Sequence, residues 1–162
     1  MNEKTFRDQL YDAFKHRALL YFHFFDELRK EIGEDRAAEI VKRAIYCRGT
    51  EVGHKFAKFS PGDMEGLKDA FIGGIPDNGG FFQPEIQKCD DTGLDIKFHS
   101  CPLLEAWKEA GIADDDIAKI AEIAGVVDNG TFEAAGFEFS SETWKPQGHE
   151  GCCHLHIRPG AK

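Results

Sequence analysis

The chain is short of basic residues: 20 Lys plus Arg stand against 29 Asp plus Glu, a formal net charge of −9. Following a phosphate backbone takes clustered cations, so this shortage argues against a nucleic-acid partner. The sequence also lacks an N-terminal charged-then-apolar leader, and no apolar run nears the roughly 18 residues of a membrane span. The expectation is a cytoplasmic protein with no membrane partner. Cysteine is scarce too, five among 162 residues, odd in number and irregular in spacing. That fits reduced thiols in a reducing compartment better than a secreted disulfide set, and leaves each sulfur to be read as thiol, thiolate or metal ligand. Repeats, low-complexity tracts and linkers are absent, so 1–162 is expected to be a single domain, long enough to bury a core without staples.

What the sequence does hold is bulky apolar material, fourteen Phe among it, in two rhythms. From Thr5 to about Ile32, residues Phe6, Leu10, Phe14, Tyr21, Phe24, Phe25, Leu28 and Ile32 recur at helical spacing, and Gly33 stops the run. This predicts a long amphipathic helix, or two joined near Lys15, with a stripe that offers a surface for a homodimer. Ala37, Ile40, Val41, Ala44 and Ile45 set out a second helix, reaching through Gly53 toward Phe59. Gly49 and Gly53, four apart on it, permit close packing or ligand approach. Ser60-Pro61-Gly62-Asp63 reads as a cap with Pro at the first helical position, opening a short helix that Gly73-Gly74 closes.

The rhythm then changes. NGGFFQPEIQKC and LDIKFHSC flank Asp90-Asp91-Thr92-Gly93 as a β-hairpin, and Pro84 confines its first strand to an edge or a late start. Pro102 opens a helix with Leu103, Leu104 and Trp107, ended by Gly111; Asp114-Asp115-Asp116 open the next, with Ile117, Ile120 and Ile123. Asp128-Asn129-Gly130 is expected to turn the chain into a strand from Thr131 to Ser140. His149 reads as part of a loop, and Cys152 to Arg158 is the last strand. The predicted fold class is α+β: a helical N-terminal half packed on a small antiparallel β-sheet formed mainly by the C-terminal half.

The chemistry concentrates in GHEGCCHLHIRP, which brings two cysteines and three histidines together. Alternation puts Cys153, Leu155 and Ile157 on one strand face and Cys152, His154 and His156 on the other. In DIKFHSCP, Ile96, Phe98 and Ser100 alternate with Lys97, His99 and Cys101. If these strands are neighbours, both soft-ligand faces line one site. Imidazole with thiolate suits zinc, iron or copper, which makes Cys152, His154 and His156 a candidate metal set that His99 or Cys101 can complete. Zinc or iron is the cofactor it implies; the plainer reading is a polar face of hydrogen-bonded histidines.

Cys101 lies just before Pro102, at a helix start where unpaired amides and the helix dipole favour a thiolate. It reads as a nucleophile with His99 as proton acceptor, as a buried structural thiol, or as a ligand. Asp128 is a turn residue or a general base. Arg17 and Tyr21, one helical turn apart, can present a guanidinium and a hydroxyl to a small carboxylate substrate. His54, next to Gly53, and Lys97 or Arg158 are further candidates for holding it.

The order KHRALLYFHFFDELRKEIGEDRAAEIVKRAI, then the Cys-Pro helix CPLLEAWKEAG, an aliphatic helix running into Asp128, and the late strand GHEGCCHLHI resembles the L-2-amino-thiazoline-4-carboxylic acid hydrolase family from about Arg17 to Ile157. The resemblance implies hydrolytic ring opening of a cyclic, sulfur-containing amidine acid to an N-carbamoyl-cysteine type product. Cys101 would be the family's Cys of the Cys-Pro pair, Asp128 its aspartate after the helix, and Cys152 or Cys153 its late cysteine. The chain departs from the family where members often carry a cysteine near the end of the helix before the aspartate; here stand Ala121, Ala124 and Gly125. His154 and His156 are a second departure, on a strand that is more apolar in the family. The order of elements is also similar to small-molecule sensors of the 4-vinyl-reductase type, which implies binding of a small molecule, metal or haem without turnover. The expectation is a hydrolase of a small cyclic amidine or similar C–N bond, using Cys101, His99 and Asp128 or a metal-activated water, with the sensor as the alternative.

Overall fold

The computed structural model describes residues 3–148 and 151–161, so the loop reading at His149 lies outside the described residues. In chain order the elements are α1 (Glu3–Ile32), α2 (Glu34–Gly53), α3 (Met64–Gly73), β1 (Pro84–Asp90), β2 (Gly93–Phe98), α4 (Pro102–Glu109), α5 (Asp114–Ala134), β3 (Glu138–Glu142) and β4 (Cys153–Arg158). Two short 3-10 turns, His54–Phe59 and Asp77–Gly79, join the helical half to the sheet. The fold class is α+β, as the sequence predicts. No helix among the described residues is long and apolar enough to cross a membrane.

The first helix runs unbroken through Lys15, where Ala13, Phe14, Lys15 and Ala18 contain no helix breaker. It ends at Gly33, whose φ of 83° is the left-handed conformation that glycine adopts without penalty; its N–H donates to the Arg29 carbonyl at 3.0 Å. Arg29 then holds α1 against the first turn of α5 through Asp116, with Nη1 to Oδ1 at 2.6 Å. Trp107 fixes α4 to the same helix, its indole N–H donating to the Ala18 carbonyl at 2.8 Å.

Helix α2 lies directly against α5, and glycine is the reason. A Cβ at Gly49 would lie 2.2 Å from the Val127 carbonyl oxygen, and one at Gly130 would lie 2.3 Å from that of Tyr46. The two backbones therefore touch, and the Thr131 hydroxyl donates to Val127 O at 2.8 Å and Gly49 O at 3.3 Å. Of the two readings of Gly49 and Gly53, close packing is the one the structure shows.

This contact also corrects the expected turn at Asp128-Asn129-Gly130. Those residues are helical, because Gly130 serves a helix crossing, and burial against α2 outweighs local turn propensity. The strand expected from Thr131 starts only at Glu138, after Gly136 breaks the chain at φ 91°. A second correction concerns α3, which is capped by Asp63 accepting from Gly66 N at 2.9 Å; Pro61 stands ahead of the helix and not at its first position.

The sheet is antiparallel throughout, in the order β1-β2-β4-β3. The edge strand β1 starts at Pro84, the place where a missing N–H costs the ladder nothing. Register pairs Phe98 with Cys153, Ile96 with Leu155 and Leu94 with Ile157, so one face is apolar and closed by Phe56, Leu67 and Phe132. A second core, built on Phe25, Trp107, Ile117, Ile120 and Ile123, fills the helical half. Phe82 and Cys153 pack against both, and the candidate site opens at this junction.

Candidate functional site

Between the two cores is a cavity of about 340 Å³, the size that a small organic acid needs. Its wall is mainly apolar, from Phe14, Phe82, Phe98, Trp107 and Val127, and its polar groups are few: Cys101, Cys152, Cys153, Asp128, Thr131, Arg17 and Lys55. Two wider surface depressions, about 740 Å³ beside the start of α5 and about 430 Å³ along α1, contain no thiol.

Cys101 occupies the N-cap position of α4, with Pro102 at the first helical position as the sequence predicts. It is 9% exposed, and its main-chain carbonyl accepts from Glu105 N at 3.1 Å. Its Sγ makes no close cap bond. The thiol is nevertheless held below the ordinary value, first by a hydrogen bond donated from Cys152, then, against the effect of burial, by the Leu104 and Leu103 amides at longer range. The Cys152 thiol is pushed well up in return, since it donates to Cys101 and touches Cys153, with the Sγ atoms 2.6 Å apart. Of the two thiols, Cys101 is therefore the one that gives up its proton more readily. Glu105, which opposes loss of that proton, is engaged by Tyr11 Oη and by Ser100 Oγ, the latter at 3.0 Å.

Asp128 reaches the same cavity from α5. It is half-buried, lines the cavity, and has no hydrogen-bond or ionic partner among the described residues. Burial pushes its carboxyl up to about 7. A carboxyl titrating near neutrality can both give and take a proton at working pH. Arg17 and Lys55 are the cations of the wall; both are largely exposed and neither has a carboxylate partner among the described residues. Each lies over a ring, Arg17 4.7 Å from Phe14 and Lys55 4.8 Å from Phe56.

The structure therefore brings Cys101, Asp128, Cys152 and Arg17 to one cavity and separates the rest. His99 is exposed and pairs with Glu85 at the hairpin edge, so it does not face Cys101. Strand β2 ends at Phe98, and the alternation that was expected to align His99 with Cys101 stops there. Cys152 is likewise not on the face of His154 and His156. Gly151, at φ 91°, turns the chain just before β4, and Cys152 N donates to Phe98 O at 2.9 Å, which swings its thiol inward. The common soft-ligand face is thus corrected: thiols line the interior, while His154, His156 and Lys97 share the outer face of the sheet. Tyr21 packs into the helical core, and His54 is exposed outside the cavity.

Lys55, one residue after His54, and Glu142 on β3 escaped sequence reasoning. An isolated Lys has no periodic signal, and which residue faces His154 depends on a strand register that spacing does not reveal. On the outer face Glu142 stands across from His154, and His156 Nδ1 lies 3.0 Å from Asp95 Oδ1. Burial would raise the Asp95 carboxyl, but hydrogen bonds from Arg158 and His156 outweigh it and hold the group below its usual range.

A family model described as L-2-amino-thiazoline-4-carboxylic acid hydrolase matches residues 11–157. No curated protein and no solved structure shows a significant match to the chain.

Proposed function

The chain belongs to the L-2-amino-thiazoline-4-carboxylic acid hydrolase family, and from that premise we propose that it opens a small cyclic amidine carboxylate by hydrolysis in the cavity between the two cores, with Cys101 as nucleophile. The observation that carries this reading is the buried Cys101 at the start of α4, its thiol held below the ordinary value by Cys152, in the same cavity as a carboxyl that burial pushes up to about 7. Arg17 and Lys55 supply the local cations that an acidic protein needs to hold an anionic substrate at the rim.

The Cys101 thiolate attacks the amidine carbon and forms a covalent bond to it. The ring C–S bond at that carbon breaks, and the departing sulfur takes its proton from Asp128. Water then adds to the same carbon and gives a proton back to Asp128. Release of the Cys101 thiolate leaves the carbamoyl product, with one water consumed. The apolar wall keeps bulk water from the thiolate and strengthens each electrostatic contact inside. Ala121, Ala124 and Gly125 belong to this wall, so the departure from the family pattern falls where the substrate's outline would be read.

The test is a thiazoline ring-opening assay on the wild type and on Cys101→Ala, with folding followed by circular dichroism. Loss of turnover in a folded variant supports the nucleophile. Unchanged turnover rejects it, and saturable binding with no turnover by the wild type favours the sensor reading.

A further inference from the structure

Three donors that the cavity does not use stand together on the outer face of the sheet. His154 and His156 alternate along β4, and Glu142 is the register partner of His154 on the neighbouring edge strand. One ligand atom from each of Glu142, His154 and His156 lies within 4.8 Å of the other two. Donors about 2.0–2.1 Å from a tetrahedral ion sit about 3.4 Å apart, so closing round a metal takes only side-chain rotation of about 1 Å. The side chains grade outward from His154 at 19% exposure through His156 at 28% to Glu142 at 62%, which leaves an open side for solvent.

We propose that Glu142, His154 and His156 form a binding site for a first-row divalent transition-metal ion of the zinc class, separate from the thiol-lined cavity. Two imidazoles and one carboxylate are the donors such ions prefer over calcium or magnesium. Asp95 supports the site from behind. Its carboxylate, paired with Arg158 at 2.6 Å, accepts a hydrogen bond from His156 Nδ1 at 3.0 Å. That bond fixes the tautomer in which Nε2 keeps its lone pair, the arrangement by which carboxylates orient ligating histidines. Lys97 shares this face opposite His154, and its flexible stem can carry its charge into solvent. Because Glu142 comes from β3 and the histidines from β4, a bound ion ties the edge strand to the centre of the sheet. The site does not depend on the hydrolase reading.

Untagged full-length protein, stripped with chelator, would be titrated with zinc chloride by calorimetry, and with cobalt chloride by absorption spectroscopy. One zinc ion per chain is expected, with no thiolate-to-cobalt charge-transfer band. Glu142→Gln, on an exposed side chain, should weaken binding at least about tenfold, and Asp95→Asn about 10- to 100-fold, with unfolding of the metal-free protein little changed for Glu142→Gln. At a hundredfold excess of zinc over Kd the wild-type melting temperature should rise by about 5 °C or more. Absence of a saturable ion overturns the site. So does an affinity that falls with Cys152→Ser and holds with Glu142→Gln, which would move the metal into the cavity; ring-opening activity is read separately and decides neither result.

Discussion

Strands β2 and β4 present two faces, built from alternating residues of the same two short segments and wholly different in chemistry. Inward, Phe98, Leu155 and Ile157 belong to the sheet-side core, and Phe98 and Cys153 line the cavity with Cys101, Cys152 and Asp128. Outward, His154 Nδ1 stands 3.5 Å from Glu142 and His156 Nδ1 3.0 Å from Asp95, with Lys97 on the same face. Groups of similar softness, one residue apart in sequence, are thus sorted by burial. On the inner side burial and neighbouring thiols shift Cys101, Cys152 and Asp128 from their ordinary values, whereas on the outer side His156 and Arg158 hold Asp95 below its usual range. The contrast can be attacked from either face.

The largest expected effect is on the inner face. Cys101→Ala should reduce turnover by at least about 10³-fold, as loss of a covalent nucleophile does, while the helix and sheet content persists. Asp128→Asn comes next, with a loss of about 10²- to 10⁴-fold and disappearance of the pH-rate limb near 7. The same variant sharpens the burial argument through stability. The folded-state value of about 7 lies above the ordinary 3.8, so the protonated Asp128 favours the fold at low pH. That contribution is complete below about pH 4 and is lost as the pH climbs through about 7. Denaturation midpoints of the wild type should therefore fall relative to Asp128→Asn across that window; a constant difference would mean that the cavity is wetter than its lining suggests.

Smaller effects test the frame that holds the two faces apart. Gly130→Ala places a Cβ against the Tyr46 carbonyl and should cost about 1–3 kcal/mol in urea denaturation. Arg17→Ala should raise KM about tenfold with little change in kcat, the signature of lost uniform binding. His99→Ala, on the exposed hairpin edge, should leave turnover within about twofold, since surface changes away from such features seldom matter. A large loss there would rejoin His99 to the active cavity and undo the division between faces.

The helical front half was legible because its apolar residues keep one rhythm over many turns, and the hairpin because Pro84 and Gly93 punctuate it. Cys101 at a helix start was equally legible, since Cys-Pro before an apolar run is a local signal. The site's composition was only half readable. Asp128 looked like a turn because Asn129 and Gly130 follow it, although the glycine answers to α2, some eighty residues earlier in the chain. His99 and Cys152 were assigned faces by a strand alternation that ends one residue too soon in one case and has not yet begun in the other.

Order, rhythm and chemistry type were therefore settled by the chain alone: helices before strands, a thiol at a helix start, a cluster of soft donors near the end. These follow from local sterics and from spacing, which act between residues close in sequence. Which donor faces which was decided only when α2 and α5 met through their glycines and β4 took its place between β2 and β3. A residue's environment is set by atoms far away in the sequence. Burial, which turns an ordinary carboxyl into one that titrates near 7, exists only once those atoms have come together.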